Sequence, residues 1–339
     1  MMKKAIVVDM HYGSVSVPEL EAMQEKLAAK GIALTLTHCK TEAEIIAAAK
    51  GHSIIIATGN PPITRLVMEQ LPELLAVIRC GIGVNSVDLE AATEFNKVIL
   101  FMPGFCVGEL AVHATALALS LNRNIGYYDR RIRQGQWPKA QFYMPRSPKD
   151  LVLGLYGFGG SAKELYKIWH FGFGSKVITC DPYVPEEVRS QYEVTFVDFD
   201  TMLKESDVLS VNAPLNDETY HIFSTEAFKK MKNDAMIINI ARGGLIDQEA
   251  LADALEQGEI RFAGLDVFEQ EPLPADSRLL QRDDVALTCH SAFYGEESKA
   301  RQLQWAYEMT DSALNEAAVP AGRVANRSVM NTFKEFKFV

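Results

Sequence analysis

Short apolar runs alternate along this chain with longer segments whose apolar residues recur every three to four positions, and the alternation occurs in two series. The runs read as buried strands and the periodic segments as helices. The first series predicts strands over 5–10, 33–38, 53–56, 75–80 and 97–101, with helices over 18–30, 41–50, 64–71 and 87–95. Gly31 stops the first helix, and Thr41 offers an N-cap to the second. Pro103-Gly104 interrupts the series. An apolar-rich helix is expected over 107–122, and 134–150 is a polar, aromatic excursion without a period. From Leu151 a second series predicts strands over 151–156, 176–180, 194–197, 207–211, 235–240, 262–266 and 285–288. Helices are expected from about 160 and over 185–190, 200–204, 225–231, 247–257 and 299–317. Such βα alternation implies parallel sheets covered by helices on both faces. Residues 334–338 read as a surface tail.

Composition narrows the class. With 339 residues, 48% hydrophobic and 23% charged, the chain is an ordinary globular one with room for two cores. Its net charge of −10 argues against a nucleic-acid partner, which needs a basic face. Lys3-Lys4 and Arg130-Arg131 read as solvated surface. Cys39, Cys80, Cys106, Cys180 and Cys289 show no paired spacing, as expected of free thiols in a reducing, cytoplasmic setting. No apolar run is long enough for a membrane helix, and no metal-binding motif occurs.

Candidate chemistry begins at Gly157-Phe158-Gly159-Gly160-Ser161-Ala162, a G-x-G-x-x-A turn between a strand and a helix. Gly157 permits the tight turn, Gly159 lets the backbone approach a pyrophosphate, and Ala162 is small enough for close helix–strand packing. The helix N-terminus adds N–H groups for the phosphates. Asp181 ends the next strand, roughly 20 residues on, where an acid bonds ribose hydroxyls and repels a 2′-phosphate. The cofactor expected is NAD.

Four downstream residues fit one apparatus: Arg242, Asp266, Glu271 and His290. Reversible reduction of a 2-oxo acid needs a cation for the anionic substrate, a proton donor and a carboxylate to tune that donor. Arginine grips a carboxylate with two parallel bonds. Histidine gives and takes protons near neutrality, and a neighbouring carboxylate favours its imidazolium and fixes its tautomer. His11, His38, His52, His113, His170 and His221 lack such context and are read as structural.

With these motifs in order, the chain resembles the D-isomer-specific 2-hydroxyacid dehydrogenases, nearest the branch of the C-terminal-binding-protein co-repressors. The resemblance rests on 79–88, 107–111, 157–162, 239–247, 265–272 and the segment at His290. It implies an α/β fold of two parallel-sheet domains. One is a Rossmann NAD-binding domain over 104–295; the other is a discontinuous flavodoxin-like substrate domain over 1–103 plus 296–339. It also implies that Arg242 binds the substrate carboxylate, His290 is the acid/base, Glu271 is its partner and Asp266 holds the nicotinamide carboxamide. Further cofactor contacts are implied at Gly160, Ser161, Pro214 and Ala241. Substrate contacts are implied at Cys80, Gly81, Ile82 and Gly83 and, from the co-repressor-like branch, at Phe293. A homodimer is expected, with the excursion's aromatics supplying its contact area or else capping the same chain.

Two departures bear on function. Cys289 stands where the family usually has proline, which frees φ and restores an N–H. The loop 57–62, where phosphoglycerate enzymes of the family carry arginines, has no cation before Arg65. No C-terminal regulatory domain is expected. The substrate reading is therefore a small, non-phosphorylated 2-oxo acid. The alternatives are an NAD(H)-sensing, co-repressor-like interaction protein and a phosphoglycerate dehydrogenase-type activity. Formate oxidation on the same fold fits less well, because those enzymes pair the histidine with Gln.

Overall fold

Two parallel sheets organise the chain. The computed structural model describes residues 3–9, 15–140 and 142–339. Met10, at the end of the first expected strand, and His11 lie outside these residues. The chain divides into one unit of Met1–Phe105 with Tyr294–Val339 and a second of Cys106–Phe293, against expected junctions at 103/104 and 295/296.

The first unit opens with β1 (Lys3–Val7), α1 (Val17–Ala29), β2 (Ile32–Leu36), α2 (Glu42–Ala49), β3 (Ile54–Ala57), α3 (Arg65–Gln70), β4 (Ala76–Arg79), α4 (Leu89–Glu94) and β5 (Val98–Leu100). Over the described residues the sheet order is β2-β1-β3-β4-β5, with every pair parallel. This is the flavodoxin-like order. Every residue of β3 is buried, as a strand covered on both faces requires. Thr41 accepts the Glu44 N–H at 3.3 Å and Asp88 accepts that of Ala91 at 2.8 Å, capping α2 and α4.

The second unit contains α5 (Val107–Asn122), α6 (Ile125–Arg133), β6 (Val152–Tyr156), α7 (Gly160–Tyr166), β7 (Lys176–Cys180), α8 (Glu186–Arg189), β8 (Thr195–Phe196), α9 (Phe199–Glu205), β9 (Val208–Val211), α10 (Thr225–Phe228), β10 (Met236–Asn239), α11 (Gln248–Gln257), β11 (Phe262–Leu265) and β12 (Val285–Leu287). Its sheet runs β12-β11-β10-β9-β6-β7-β8, again parallel throughout. The order reverses between β6 and β9, the switch point of a doubly wound dinucleotide fold.

The chain then re-enters the first unit through α12 (Glu296–Asp311), β13 (Ala318–Val319) and β14 (Lys337–Phe338). Gln302 donates to the Cys80 carbonyl at 2.8 Å, and Lys299 pairs with Glu19 at 3.2 Å. No helix among the described residues is long and apolar enough to cross a membrane.

Two expectations change, and one helix is added. The segment before the excursion is helical: α6 buries none of its residues, although Ile125, Tyr128 and Ile132 recur at helical spacing. Arg130 and Arg131 are not merely solvated, since both grip Asp283, Arg130 at 2.9 Å. The tail at 334–338 is packed: β14 pairs with β13, and Phe333 and Phe336 are buried with ring centroids 4.9 Å apart.

The excursion is pinned to the sheet by one carboxylate. Asp207, which precedes β9 and is nearly buried, accepts the Val152 N–H at 2.7 Å, Arg146 at 2.8 Å and Lys232 at 3.0 Å. Burial pushes its carboxyl up, but these three donors overcome that and leave it below the usual carboxylate range. Asp207→Ala leaves the Val152 N–H without its acceptor and removes one partner each from Arg146, which keeps Asp234, and Lys232, which keeps the Glu205 carbonyl. It should cost about 1–3 kcal/mol by urea denaturation. Because the folded pKa is lowered, that contribution is complete above the ordinary value of about 3.9 and is lost as pH falls through the folded value. A variant as stable as the wild type at pH 7 contradicts this account.

Candidate active site

At the switch point, Gly157 follows β6 with φ +88°, a conformation that favours glycine. A Cβ there would stand 3.0 Å from the Ala213 nitrogen, so the end of β6 and the chain after β9 approach closely. A Cβ on Gly160 would stand 2.8 Å from Val107, which shows how tightly α7 packs on α5. Ala162 is fully buried in that contact. Gly159 has nothing within 4 Å of a Cβ position, so the backbone there is open to an approaching pyrophosphate. Asp181, at the end of β7, accepts the N–H groups of Phe158 at 2.8 Å and Tyr183 at 3.0 Å. Ser161 lies 3.4 Å from Asn212, and the Pro214 carbonyl accepts the Thr219 hydroxyl at 2.8 Å. The residues fit a dinucleotide: an open glycine turn, a helix N-terminus and an acid on the neighbouring strand.

Arg242 lies just beyond β10 in extended backbone, φ −146°. Asn239, fully buried, ties the turn: its side chain donates to the Arg242 carbonyl at 2.9 Å and accepts the Ala241 N–H at 3.0 Å. The next residue, Gly243, packs directly on the backbone of Phe268 and Glu269, where no Cβ fits. The arginine turn is thereby fitted against the loop that carries Glu271.

Glu271 and His290 are in contact. Glu271 Oε2 lies 2.7 Å from His290 Nδ1, and Oε1 accepts the Phe268 N–H at 3.0 Å. A carboxylate accepts, so Nδ1 carries the proton and Nε2 is left for a ligand. Burial pushes the Glu271 carboxyl up, but the His290 bond, the Phe268 N–H and the charges of His290 and Arg242 more than offset it. The carboxyl lies below its usual range. Phe293 stands edge-on to the His290 ring at 6.2 Å.

Asp266, fully buried after β11, accepts from Thr288 Oγ1 at 2.6 Å and from the N–H groups of Ser291 at 2.8 Å and Ala292 at 2.9 Å. Its own carbonyl accepts the His290 N–H at 2.7 Å. His113 reaches this cluster from α5, with Nε2 2.9 Å from Thr288 Oγ1. Its sequence context reads only as structural. The two residues are 175 positions apart, and no local signal links them.

In the first unit, the Gly81 N–H donates to the Arg79 carbonyl at 2.8 Å, and Cys80 donates to Ala57 at 2.8 Å. Among the described residues, the N–H groups of Ile82 and Gly83 meet no backbone carbonyl. Ile82 is exposed. The Arg79 guanidinium lies against Gly59 and Gly81, 3.5 Å from a Cβ position on Gly59. The loop 57–62 therefore does have a cation beside it, supplied by the neighbouring strand and not by the loop's own sequence.

Residues 115–292 match the family described as D-isomer specific 2-hydroxyacid dehydrogenase, NAD binding domain. The chain is 33% identical over 300 residues to a D-3-phosphoglycerate dehydrogenase of Methanocaldococcus jannaschii, covering 88% of this chain and 55% of that protein. It is 33% identical to a hydroxypyruvate reductase of Thermotoga maritima, covering 83% and 90%. A glyoxylate reductase from Paecilomyes thermophila superposes with a TM-score of 0.83 at 25% identity, covering 95% and 97%. The chain spans about half the length of the phosphoglycerate dehydrogenases it matches. A matching domain model over more than half of the chain, with relatives similar along most of theirs, shows that the chain belongs to the D-isomer-specific 2-hydroxyacid dehydrogenase family.

Proposed function

We propose that this protein is an NAD-dependent D-2-hydroxyacid dehydrogenase that reduces a small, non-phosphorylated 2-oxo acid. The His290–Glu271 contact at 2.7 Å carries the reading, because it makes a proton donor whose second nitrogen is free for a substrate oxygen. Bound NADH supplies the hydride. His290 Nε2 gives its proton to the carbonyl oxygen, and the 2-hydroxy acid forms. Glu271 holds Nδ1 and balances the imidazolium. Arg242 anchors the substrate carboxylate and polarises the carbonyl. The substrate roles of Cys80, Gly81, Ile82, Gly83 and Phe293, and the carboxamide role of Asp266, are part of the same proposal. Relatives named glyoxylate reductase and hydroxypyruvate reductase support a small acid. A phosphorylated substrate is the second reading, favoured by the Arg79 guanidinium beside Gly59 and by relatives named phosphoglycerate dehydrogenases.

The protein is further proposed to be a cytoplasmic homodimer. Its five cysteines are all unbridged, as a reducing compartment favours. In the single chain α6 buries nothing, and Ile125, Ile132, Trp137 and Met144 are exposed; Trp137 is 82% exposed. Burying such exposed apolar side chains is what a contact with a second copy would supply.

A panel of glyoxylate, hydroxypyruvate, pyruvate and 2-oxoisocaproate with NADH should give turnover within the usual range of about 1–10³ s⁻¹. His290→Ala should lower kcat by roughly 10²–10⁴. Activity confined to 3-phosphohydroxypyruvate selects the second reading, and no turnover at all removes the enzyme reading.

The depressed Glu271 pKa gives a separate expectation. Its stabilising contribution is complete above the ordinary glutamate value of about 4.3 and is lost as pH falls through the lower folded value. The stability gap between wild type and Glu271→Gln, measured in urea, should be constant near neutrality and narrow in acid. A gap unchanged in acid counts against the coupling.

Ile132→Asp with Trp137→Asp should convert a dimer to a monomer in analytical ultracentrifugation. A dimer that survives both changes places the interface elsewhere.

A further inference from the structure

The His290-bearing segment is held from below by one residue. Asp266 engages the Thr288 hydroxyl, the His290 N–H, the Ser291 N–H and the Ala292 N–H, all at 2.6–2.9 Å. Residues on both sides of His290 are thereby tethered. His290 itself sits at φ +54°, in the left-handed region that a side-chain-bearing residue occupies only when its surroundings enforce it. The tethers supply that enforcement.

One member of the set needs further support. The Thr288 hydroxyl has a single hydrogen and gives it to Asp266 Oδ1. Alone, that hydroxyl is free to rotate away. His113 Nε2, 2.9 Å from Thr288 Oγ1, donates to the hydroxyl oxygen and so completes the chain His113 N–H to Thr288 O–H to Asp266 carboxylate. The same Nε2 is 3.6 Å from Asp266 Oδ1, which keeps a donor facing a buried carboxylate. His113 projects from α5, a 16-residue helix packed against the sheet. Linked hydrogen bonds of this kind polarise one another and fix one arrangement of the cluster.

We propose that His113 is a positioning residue for His290: acting through Thr288 and Asp266, it holds the imidazole in the orientation that meets Glu271. The importance of His290 to turnover rests on the function proposed above; the orientation of its ring does not.

The experiment uses the full-length chain labelled with ¹⁵N-histidine, with the His290 signals assigned by their loss in His290→Asn. Wild type should show one tautomer at His290, protonated at Nδ1. Thr288→Val keeps the shape and removes the hydroxyl, and His113→Leu removes the donor. Both should turn the His290 signal into a mixture of tautomers. His113→Gln, which restores an N–H donor, should return it. With a 2-oxo acid and NADH, kcat should fall about tenfold in the two disrupting variants with KM little changed, as a small misplacement of a reacting group does, and His113→Gln should recover most of it. If His113→Leu does not fold, His113→Phe, which keeps a ring and removes the donor, carries the same test. An unchanged His290 spectrum in either folded variant overturns the proposal. A wild type that turns over no 2-oxo acid defeats the functional reading, while the spectrum still decides the role of His113.

Discussion

Parallel pairing governs this molecule. In a sheet whose strands all run one way, the carboxyl end of every strand opens on the same edge, so residues remote in sequence become neighbours. In the second unit Gly157 follows β6, Asp181 follows β7, Asn212 follows β9, Arg242 follows β10, Asp266 follows β11 and His290 follows β12. The sheet order and the reversal beside β6 set which of these lie side by side. The candidate chemistry is thus a consequence of strand direction before it is a matter of individual side chains.

Within that edge, close backbone packing does the finer work. Gly243 touches the Phe268–Glu269 backbone, and Phe268 in turn donates its N–H to Glu271. Moving the arginine turn therefore moves the carboxylate that meets His290. Glu271 also shows which electrostatic effect wins. Burial alone raises a carboxyl, yet two hydrogen bonds and two cationic neighbours bring it below the usual range. A carboxylate kept ionised in this way can hold a protonated imidazole, which carbonyl reduction requires.

Much of this was legible in the sequence because it depended on local chemistry. The βα alternation, the helix over 107–122 and the cap at Thr41 all follow from periodicity and side-chain type. One miss had a local signature: Ile125, Tyr128 and Ile132 recur at helical spacing in α6, but the helix has only 9 residues and buries none of them. The others had none. Arg79 belongs to a strand, yet its guanidinium folds over the loop after the preceding strand, a placement only the sheet order determines. His113 looked like any histidine on an apolar helix, because the hydroxyl it meets follows the last strand of the same sheet. The tail at 334–338 shows one buried phenylalanine, Phe336, among charges, with buried Phe333 just before it, a pattern too short to distinguish packing from exposure.

Asp266 clamps the histidine segment, and the proposed carboxamide contact would give it a second role that a simple reading would set against the first. A carboxylate offers about four acceptor sites. Oδ1 takes the Thr288 hydroxyl and the Ser291 N–H, and Oδ2 takes the Ala292 N–H. One site on Oδ2 remains, enough for a single amide N–H of the kind a nicotinamide carboxamide presents. The clamp on the histidine segment and the carboxamide contact implied by family likeness are therefore compatible on one residue. They are also coupled, since a group bound at Oδ2 would rest on the same carboxylate that fixes His290. Replacing this acid with asparagine would exchange one acceptor oxygen for a donor and set that donor against N–H groups, which explains why the position calls for a carboxylate and not merely for a polar side chain.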